Sequence, residues 1–262
     1  MKTKMINVCI GITMLLGMGA TAEAGSTANA EPQFEAKEIV SFAKKVEKVL
    51  ASKGARVFIL SRVGRPVDEL PKGIQYTHTA LGVYSMIKTA DGREIPGYAI
   101  YNLYQREKEP NISDLVMDYP VDFFGGVYEL KAGIVIPTPE LQARLLKVIA
   151  SDTYRNLHNP VYSVIANPYN SKFQNCTEYT LDVINAAIYQ TDDVKKIKGN
   201  TKAYFEAQKV NISPLRLMVG SIFMPDVKTS DQKGGAKTAT FTTIAKYLDK
   251  YDLIQEQMVI VQ

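Results

Sequence analysis

Two side chains in this sequence have the chemistry of a nucleophile and its base. Cys176 follows Asn175, and His78 lies in a stretch of alternating residue types, residues 75–88. The other cysteine, Cys9, falls in an N-terminal segment that we expect to be removed, which leaves one thiol. A lone thiol in an oxidising compartment is open to oxidation and mispairing, so its presence requires a reason. We predict that Cys176 attacks a carbonyl carbon and that His78 accepts the thiol proton.

Each of the two residues also has a plainer interpretation. Cys176 begins a predicted helix, where backbone N–H groups and the helix dipole lower a thiol pKa and can hold an oxyanion. The alternative for Cys176 is a small buried residue that only packs the helix. The alternative for His78 is a histidine without a catalytic role, either buried with its hydrogen bonds made within the core or exposed to solvent. The second histidine, His158, lies in a predicted turn and is interpreted as a solvated loop residue.

The first 24 residues have the pattern of an export signal. Lys2 and Lys4 precede an uncharged apolar stretch, residues 5–20, and small residues follow at Ala22 and Ala24. We predict cleavage after Ala24, with a second candidate site after residue 30. The apolar stretch is too short for a confident membrane span. We therefore expect a periplasmic or secreted protein with no transmembrane anchor after cleavage.

Composition excludes several other classes of function. The chain has 262 residues and a formal net charge of +4, with lysine and arginine scattered along it, so no nucleic-acid partner is predicted. Two histidines and one retained cysteine, none at ligand spacing, predict no metal site. Asp114, Asp118 and Asp122 lie four apart but lack the pattern of a calcium loop. No phosphate loop or dinucleotide fingerprint occurs, and no cofactor is predicted.

The remaining residues, 25–262, are predicted to form one α+β domain. Strands and helices mix without a βαβ rhythm, which favours an antiparallel sheet packed against helices. Residues 228–237 have the composition of a flexible linker, and residues 111–128 are predicted as loop with short helical pieces. Helices are predicted at 35–52, 139–151, 176–189 and 243–251, and strands at 55–63, 75–88, 98–105, 129–136, 239–242 and 258–261. Residues 205–224 are predicted to hold a further helix and strand.

A third polar side chain is needed to orient the imidazole of His78, and the register of the predicted hairpin decides which one. A tight turn at Asp91-Gly92 would place Tyr101 and Gln105 on the face of His78. A bulge or a longer turn would place Asn102 there instead.

Candidate substrate contacts lie close to the predicted pair. Arg62 follows the first strand and could bind a carboxylate, although a surface arginine is the alternative. Tyr76, near His78, and Asn175 and Glu178, beside Cys176, complete the set.

These motifs resemble the circularly permuted papain-like superfamily, which includes permuted NlpC-type cell-wall peptidases and lecithin:retinol acyltransferase-like enzymes. In that group a strand motif His-x-Gly/Ala precedes a helical motif Asn-Cys-x-x-aromatic. The matching segments here are residues 78–80 and 175–179. The resemblance implies a permuted papain-like fold and a Cys–His pair.

A broader resemblance covers most of the chain after the signal. It is to an uncharacterised exported bacterial family, the domain of unknown function 2145, whose pattern favours Asn102 as the third polar residue. The residues that carry the resemblance are 76–78, 100–104, 123–124, 128–129, 135–145 and 240–248. This resemblance implies an exported protein, and no reaction.

The function predicted from these features is that of an exported cysteine hydrolase or acyl/amide transferase. Its substrate would be a peptidoglycan peptide or a lipid or lipoprotein acyl group in the cell envelope. The alternative is a non-catalytic envelope protein that keeps the fold as a binding or assembly module and has an inert Cys176. A redox role through a mixed disulfide is disfavoured because no resolving cysteine remains.

Overall fold

The order of helices and strands comes from a computed structural model that describes residues 32–89, 91–210 and 226–262. The predicted signal sequence and most of the predicted helix and strand at 205–224 lie outside these residues. The elements are α1 (Ala36–Ser52), β1 (Val57–Val63), β2 (His78–Lys88), β3 (Glu94–Gln105), β4 (Ser113–Asp118), α2 (Pro120–Phe123), β5 (Glu129–Pro137), α3 (Pro139–Ile149), α4 (Asp152–Asn156), α5 (Cys176–Tyr189), α6 (Val194–Tyr204), β6 (Gln208–Lys209), β7 (Lys237–Thr238), α7 (Phe241–Lys250) and β8 (Ile254–Val261).

An antiparallel sheet of six strands, in the order β4-β3-β2-β1-β5-β8, lies at the centre of the described chain. Every residue of β1 is buried, including Ser61 and Arg62, and the other five are apolar, as expected for a central strand. Its neighbour β2 has Gly82 opposite Phe58. A Cβ atom at Gly82 would lie 2.0 Å from the Phe58 ring, so glycine leaves room for that ring. The predicted mixed α and β class with an antiparallel sheet is confirmed.

Helices cover both faces of this sheet, and each face has its own apolar core. Alternate residues of a strand point to opposite faces, and β2 divides accordingly. Leu81 and Val83 join a first core with α3, α5 and α7, whereas Ala80 joins a second core with α1 and α2. The sheet therefore separates two sets of helices.

Helix α5 is buried along most of its length, from Cys176 to Ala187, and its bounds agree with the prediction. A helix buried on all sides must satisfy its polar side chains internally. Helix α6, which packs against α5, was not predicted from the sequence. It begins after Asp193, whose carboxylate accepts hydrogen bonds from the backbone N–H groups of Lys195 and Lys196.

The first helix and the last strand are joined to each other at one edge of the sheet. The Lys45 ammonium donates to the carbonyl of Val261 at 2.8 Å, and Lys53 forms a 2.7 Å ion pair with Glu256. Ile260 lies in the second core against α1. The two ends of the described chain are thereby tied together.

Two predicted loops differ from what the structure shows. Residues 111–128 contain a strand, β4, which pairs with β3 at the edge of the sheet, so the prediction of loop is wrong there. Residues 228–237 form a loop with polar anchors: Asp231 accepts from the backbone N–H of Asn167 at 2.8 Å, and Gln232 donates to the carbonyl of Ile165 at 2.8 Å. No helix among the described residues is long and apolar enough to cross a membrane.

Candidate functional site

The start of α5 is fixed by the side chain of Asn175. Its Oδ1 accepts from the backbone N–H of Glu178 at 2.9 Å, which is the standard capping bond of a helix. Its Nδ2 donates to the carbonyl of Val164 at 3.0 Å and to Thr238 Oγ1 at 3.3 Å. Both ends of the Asn175 amide are engaged with the protein. Asn175 therefore positions the residue that follows it.

Cys176 is the first residue of α5 and carries a free thiol that is 4 % exposed. Its Sγ accepts hydrogen bonds from the backbone N–H groups of Thr79 and Thr177. The hydroxyl of Thr177 lies 3.7 Å from Sγ and 3.3 Å from the hydroxyl of Thr79. The thiol is thus held against β2, one residue along the strand from His78.

Burial raises the pKa of the Cys176 thiol above its ordinary value. The hydrogen bonds from Thr79 and Thr177 and the positive charge of Arg62 oppose this effect but are the smaller contributions. The sequence predicts the opposite direction, since a helix N-terminus favours a thiolate. Loss of water outweighs the helix end, and the resting sulfur is a neutral thiol at neutral pH.

His78 is fully buried at the start of β2 and is oriented by Asn102. The imidazole Nε2 and Asn102 Oδ1 are 2.9 Å apart. The β2–β3 ladder pairs Lys88 with Glu94 and Leu81 with Tyr101, so the connection spans residues 89–93 rather than a tight turn. This connection is longer than the predicted tight turn at Asp91-Gly92 but does not extend to Gly97, and its register places Asn102 on the face of His78.

Tyr104 and Phe123 enclose the imidazole on its flat sides. The Tyr104 ring is stacked on His78 with a centroid separation of 4.8 Å and an interplanar angle of 8°. Phe123, from α2, lies at 5.5 Å. The Ser61 hydroxyl donates to the carbonyl of His78 at 2.6 Å, which fixes the backbone as well. The ring is thereby held in one orientation.

The hydrogen bonds around Asn102 determine which nitrogen of His78 carries the proton. Asn102 Nδ2 donates to Asp118 Oδ1 at 2.7 Å and to the carbonyl of Ile100 at 3.2 Å. Both amide hydrogens are used, so the amide presents its oxygen to the imidazole. Nε2 must therefore be the protonated nitrogen, and Nδ1 carries a lone pair. Among the described residues, this buried Nδ1 has no hydrogen-bond partner.

The pKa of His78 is held well below its ordinary value, because burial and the positive charge of Arg62 both disfavour the imidazolium. The hydrogen bond to Asn102 acts in the opposite direction and is the smaller effect. His78 is therefore a neutral imidazole at physiological pH, with a free lone pair on Nδ1.

The thiol and the imidazole are not in contact in this structure. Cys176 belongs to the first core, under α5, whereas the imidazole packs against Phe123 of the second core. No hydrogen bond joins Sγ and Nδ1 within the described ranges. Catalytic hydrogen bonds are often long in unliganded enzymes and form only with substrate bound. A proton transfer between them requires the sulfur to approach Nδ1.

Arg62 is buried, at 3 % exposure, and the alternative of a surface arginine is wrong. It pairs with His78 across β1 and β2. Its guanidinium donates to the carbonyl of Phe123 and lies over the Phe123 and Tyr104 rings, at 5.1 Å and 5.6 Å from their centroids. These contacts allow a cation to be buried, and its charge lowers the pKa of both Cys176 and His78.

Glu178 and Tyr76 face other parts of the protein. Glu178 is fully buried and bonded at 2.6 Å to Lys198 of α6, which also contacts Asp182 at 2.7 Å. Burial and the neighbouring Asp182 raise the pKa of the Glu178 carboxyl, and Lys198 opposes them. The Tyr76 ring packs edge-on against Phe241 in the first core. The described contacts of both residues are with the protein interior.

Sequence reasoning missed the roles of Tyr104 and Asp118. The Tyr104 hydroxyl donates to Asp118 Oδ2 at 3.0 Å, and Asp118 Oδ1 accepts from Asn102. Asp118 was noticed only as one of three aspartates with a spacing of four. The structure separates those three, since Asp114 pairs with Arg106 and Asp122 accepts from the backbone N–H of Tyr119. A reading of residues 113–118 as a strand would have placed Asp118 beside Asn102.

Two other site predictions concern metal ions and the second histidine. No group of three or more metal-ligating side chains occurs in the part of the chain that the structure describes. His158 is partly buried, and its Nε2 lies 3.1 Å from the hydroxyl of Ser113. It is therefore less solvated than the sequence predicts.

Comparison with known proteins identifies the family to which this chain belongs. No curated protein and no solved structure matches the chain. A family profile described as "Uncharacterized protein conserved in bacteria (DUF2145)" matches residues 49–248. That segment includes both Cys176 and His78 and every strand of the sheet except β8. The chain is therefore a member of the DUF2145 family.

Proposed function

We propose that this protein is an exported cysteine hydrolase or acyl/amide transferase of permuted papain-like type. The observation that supports the proposal most strongly is the state of His78. Its Nε2 is fixed by Asn102, while its buried Nδ1 carries a lone pair without a partner among the described residues. A buried, unpaired polar atom is costly, so its retention indicates a use. The sulfur of Cys176 contacts the backbone N–H of Thr79, the residue that follows this base in β2.

In the proposed reaction His78 Nδ1 accepts the thiol proton as Cys176 Sγ forms a bond to the substrate carbonyl carbon. The carbonyl electron pair moves to oxygen, where backbone N–H groups at the start of α5 stabilise it. The intermediate collapses as the bond to the amine or alcohol breaks, and His78 returns the proton to that leaving group. Water, or an acceptor amine or hydroxyl, then cleaves the thioester. The reaction needs no cofactor.

Arg62 and Asn102 support this chemistry from either side of the imidazole. The Arg62 charge favours the thiolate that forms as the proton leaves, because it lowers the thiol pKa. Asn102 accepts from Nε2 in the neutral ring and in the imidazolium alike, which keeps the ring aligned through the cycle. Substrate binding would have to bring Sγ within hydrogen-bonding reach of Nδ1, because no such bond exists in the resting protein.

The proposed substrates and location follow from the predicted export signal. A peptidoglycan stem peptide offers amide bonds, and lipids or lipoproteins offer acyl esters and amides. Both are available in the periplasm or outside the cell. Either carbonyl is compatible with a cysteine nucleophile and a neutral base.

The test is acylation of Cys176 by an activated ester. Residues 25–262 would be mixed with p-nitrophenyl acetate, and the acetyl adduct would be located by peptide mass spectrometry. We expect a burst of p-nitrophenolate and an adduct on Cys176, absent in Cys176→Ser. His78→Gln should slow acylation by about 10²- to 10⁴-fold, the usual contribution of a general base.

His158→Gln provides the matched control, because it removes the other histidine of the chain and leaves the pair intact. It should acylate at the wild-type rate. Equal rates for wild type and His78→Gln would refute the proposal, as would a native thiol that never reacts although the unfolded thiol does.

The burial of Cys176 favours a second candidate function, that of a non-catalytic envelope binding or assembly module. A thiol that is 4 % exposed, with a pKa raised by burial, is typical of an inert structural cysteine. Under this alternative, Cys176→Ala would leave every property of the protein intact except its stability.

A further inference from the structure

We propose that Asp118 is a positioning residue of this site, which holds the Asn102 amide in one orientation and thereby keeps the proton of His78 on Nε2. Its role in catalysis depends on the function proposed above, whereas its control of the histidine tautomer does not. The inference extends the site to strand β4, which contributes no other residue to it.

The argument begins with the two ways in which an amide can be placed. Asn102 could in principle present either Oδ1 or Nδ2 to the imidazole. With Oδ1 toward His78, its two N–H groups meet Asp118 Oδ1 and the carbonyl of Ile100. With the amide reversed, Oδ1 would face two acceptors, and the N–H groups would lose Asp118 and Ile100 in exchange for His78 Nε2 alone. A carboxylate accepts hydrogen bonds only, so an ionised Asp118 excludes the reversed amide.

The tautomer of His78 follows from the amide. When Asn102 presents oxygen, Nε2 must donate and Nδ1 is free to accept a proton. When Asn102 presents nitrogen, Nε2 must accept and the ring proton moves to Nδ1. A ring protonated on Nδ1 cannot take the thiol proton there. The charge on Asp118 therefore decides whether His78 can act as the base.

Tyr104 fixes the second oxygen of Asp118. Its hydroxyl donates to Oδ2 at 3.0 Å, while its ring is stacked on His78. The carboxylate is held by donors at both oxygens and cannot rotate away from Asn102 without losing one of them. Tyr104 thus links the carboxylate and the imidazole by a second route.

The charged and titratable groups that face this carboxyl come from three elements. Burial raises the pKa of Asp118 to about 6, and the charge of Asp122 on α2 acts in the same direction. Tyr104 and Asn102 on β3 and Arg62 on β1 oppose them. Asp118 therefore loses its proton as the pH rises through about 6, and its orienting effect appears over that range. His78 stays neutral there, because its own pKa is well below its ordinary value.

The direct test is a nitrogen NMR measurement of the His78 tautomer in Asp118→Asn. With only two histidines in the chain, His158→Gln assigns the imidazole signals unambiguously. Wild type at pH 7.5 should show Nε2 protonated and Nδ1 bare. In Asp118→Asn, position 118 can donate as well as accept, so a reversed amide gains a donor there and faces one acceptor, the carbonyl of Ile100, instead of two. Its His78 should show a mixture of tautomers, and acylation of Cys176 should fall by about 10- to 100-fold.

Asp114→Asn is the matched control, since it makes the same change on the same strand at an exposed ion pair with Arg106. It should leave the tautomer and the acylation rate unchanged. If Asp118→Asn does not fold, wild type titrated from pH 7.5 to 5 provides the same test, through growth of the Nδ1-protonated form.

A single Nε2-protonated signal in folded Asp118→Asn, or in wild type below pH 6, would overturn the inference. Such a result would leave the Cys–His proposal standing. Conversely, the tautomer of His78 could change in Asp118→Asn while His78→Gln leaves the acylation rate of Cys176 unchanged. That result would support the inference on orientation and refute the proposed reaction.

Discussion

A single missing methyl group determines how β1 and β2 pack. Gly82 has no side chain, and the Phe58 ring from the neighbouring strand occupies the space above it. Phe58 is fully buried and packs edge-on against Tyr98 at 5.2 Å, so it has little freedom to move. This contact is made on the face of the sheet that also carries His78.

We predict that Gly82→Ala destabilises the protein by about 1–3 kcal/mol or more, because overpacking forces a displaced ring or a shifted strand. Urea unfolding followed by circular dichroism measures the effect. Gly92→Ala is not a suitable control, since Gly92 has a positive φ of 83°. Gly199→Ala is suitable, because a Cβ there meets nothing within 4 Å. Equal stability of Gly82→Ala and wild type would contradict the packing argument.

Local sequence identified some residues of the site and not others, for a physical reason. Asn175 and Cys176 are recognisable because a capping residue and a helix start are local features. Asn102 was one of three candidates, with Gln105 and Tyr101, since the length of one connection decides which of them faces His78. Arg62 reads as a surface residue because the contacts that bury it come from Tyr104 and Phe123, which are remote in sequence. No local pattern encodes such contacts.

Helices α5 and α6 are joined by a buried ionic cluster. Lys198 contacts Glu178 at 2.6 Å and Asp182 at 2.7 Å, and Asp182 also accepts from Gln174 at 3.1 Å. The cluster contains two carboxyl groups and one ammonium group, all excluded from water. The ammonium group of Lys198 thereby gives hydrogen-bond partners to two polar side chains of α5, a helix that is buried along most of its length.

Lys198→Met should destabilise the protein by about 3–5 kcal/mol, because it leaves the buried Asp182 carboxylate without a counter-charge. Denaturant unfolding gives the measurement, and Lys196→Met, an exposed change on the same helix, is the control. The double variant Asp182→Asn/Lys198→Met should recover part of the loss, because it also removes the unpaired carboxylate. A single variant as stable as wild type would show that the ion pairs make no net contribution.

Strand β4 and helix α6 were not predicted, because apolar residues do not recur clearly at strand or helix spacing in either segment. Strand β4 is six residues long with aspartates at positions 114 and 118, and it lies at the edge of the sheet, where only one side is paired. Helix α6 has four lysines and few buried residues. Elements of this kind form because the rest of the structure supports them, which propensity alone does not reveal.

For the whole molecule, stability should depend on pH through its buried acids. In the folded state the pKa of Glu178 is raised to about 8 by burial, against about 4.3 in an unfolded chain. Between these values the folded state holds a proton that the unfolded state has lost, so stability falls as the pH rises. Below about pH 6.5 the lowered pKa of His78 acts in the opposite direction, because there the unfolded state binds the extra proton.

We therefore predict that the free energy of unfolding decreases from pH 6.5 to about pH 8, with a slope of up to about 1.4 kcal/mol per pH unit. Glu178→Gln should flatten this slope. Glu140→Gln, an exposed change on α3, should preserve it. Urea midpoints across the pH range provide the data, and parallel curves for wild type and Glu178→Gln would contradict the assignment.

The contact between the first helix and the last strand has a consequence for the order in which the molecule can form. Strand β5 pairs with β1 on one side, but its other side stays open until β8 arrives. Strand β8 follows all the other described elements in the chain, and its Ile260 completes the core beneath α1. Until β8 has paired, the chain therefore keeps an open sheet edge along β5, and the apolar face of α1 lacks its contact with Ile260. The six-stranded sheet is complete only once this late strand has been added.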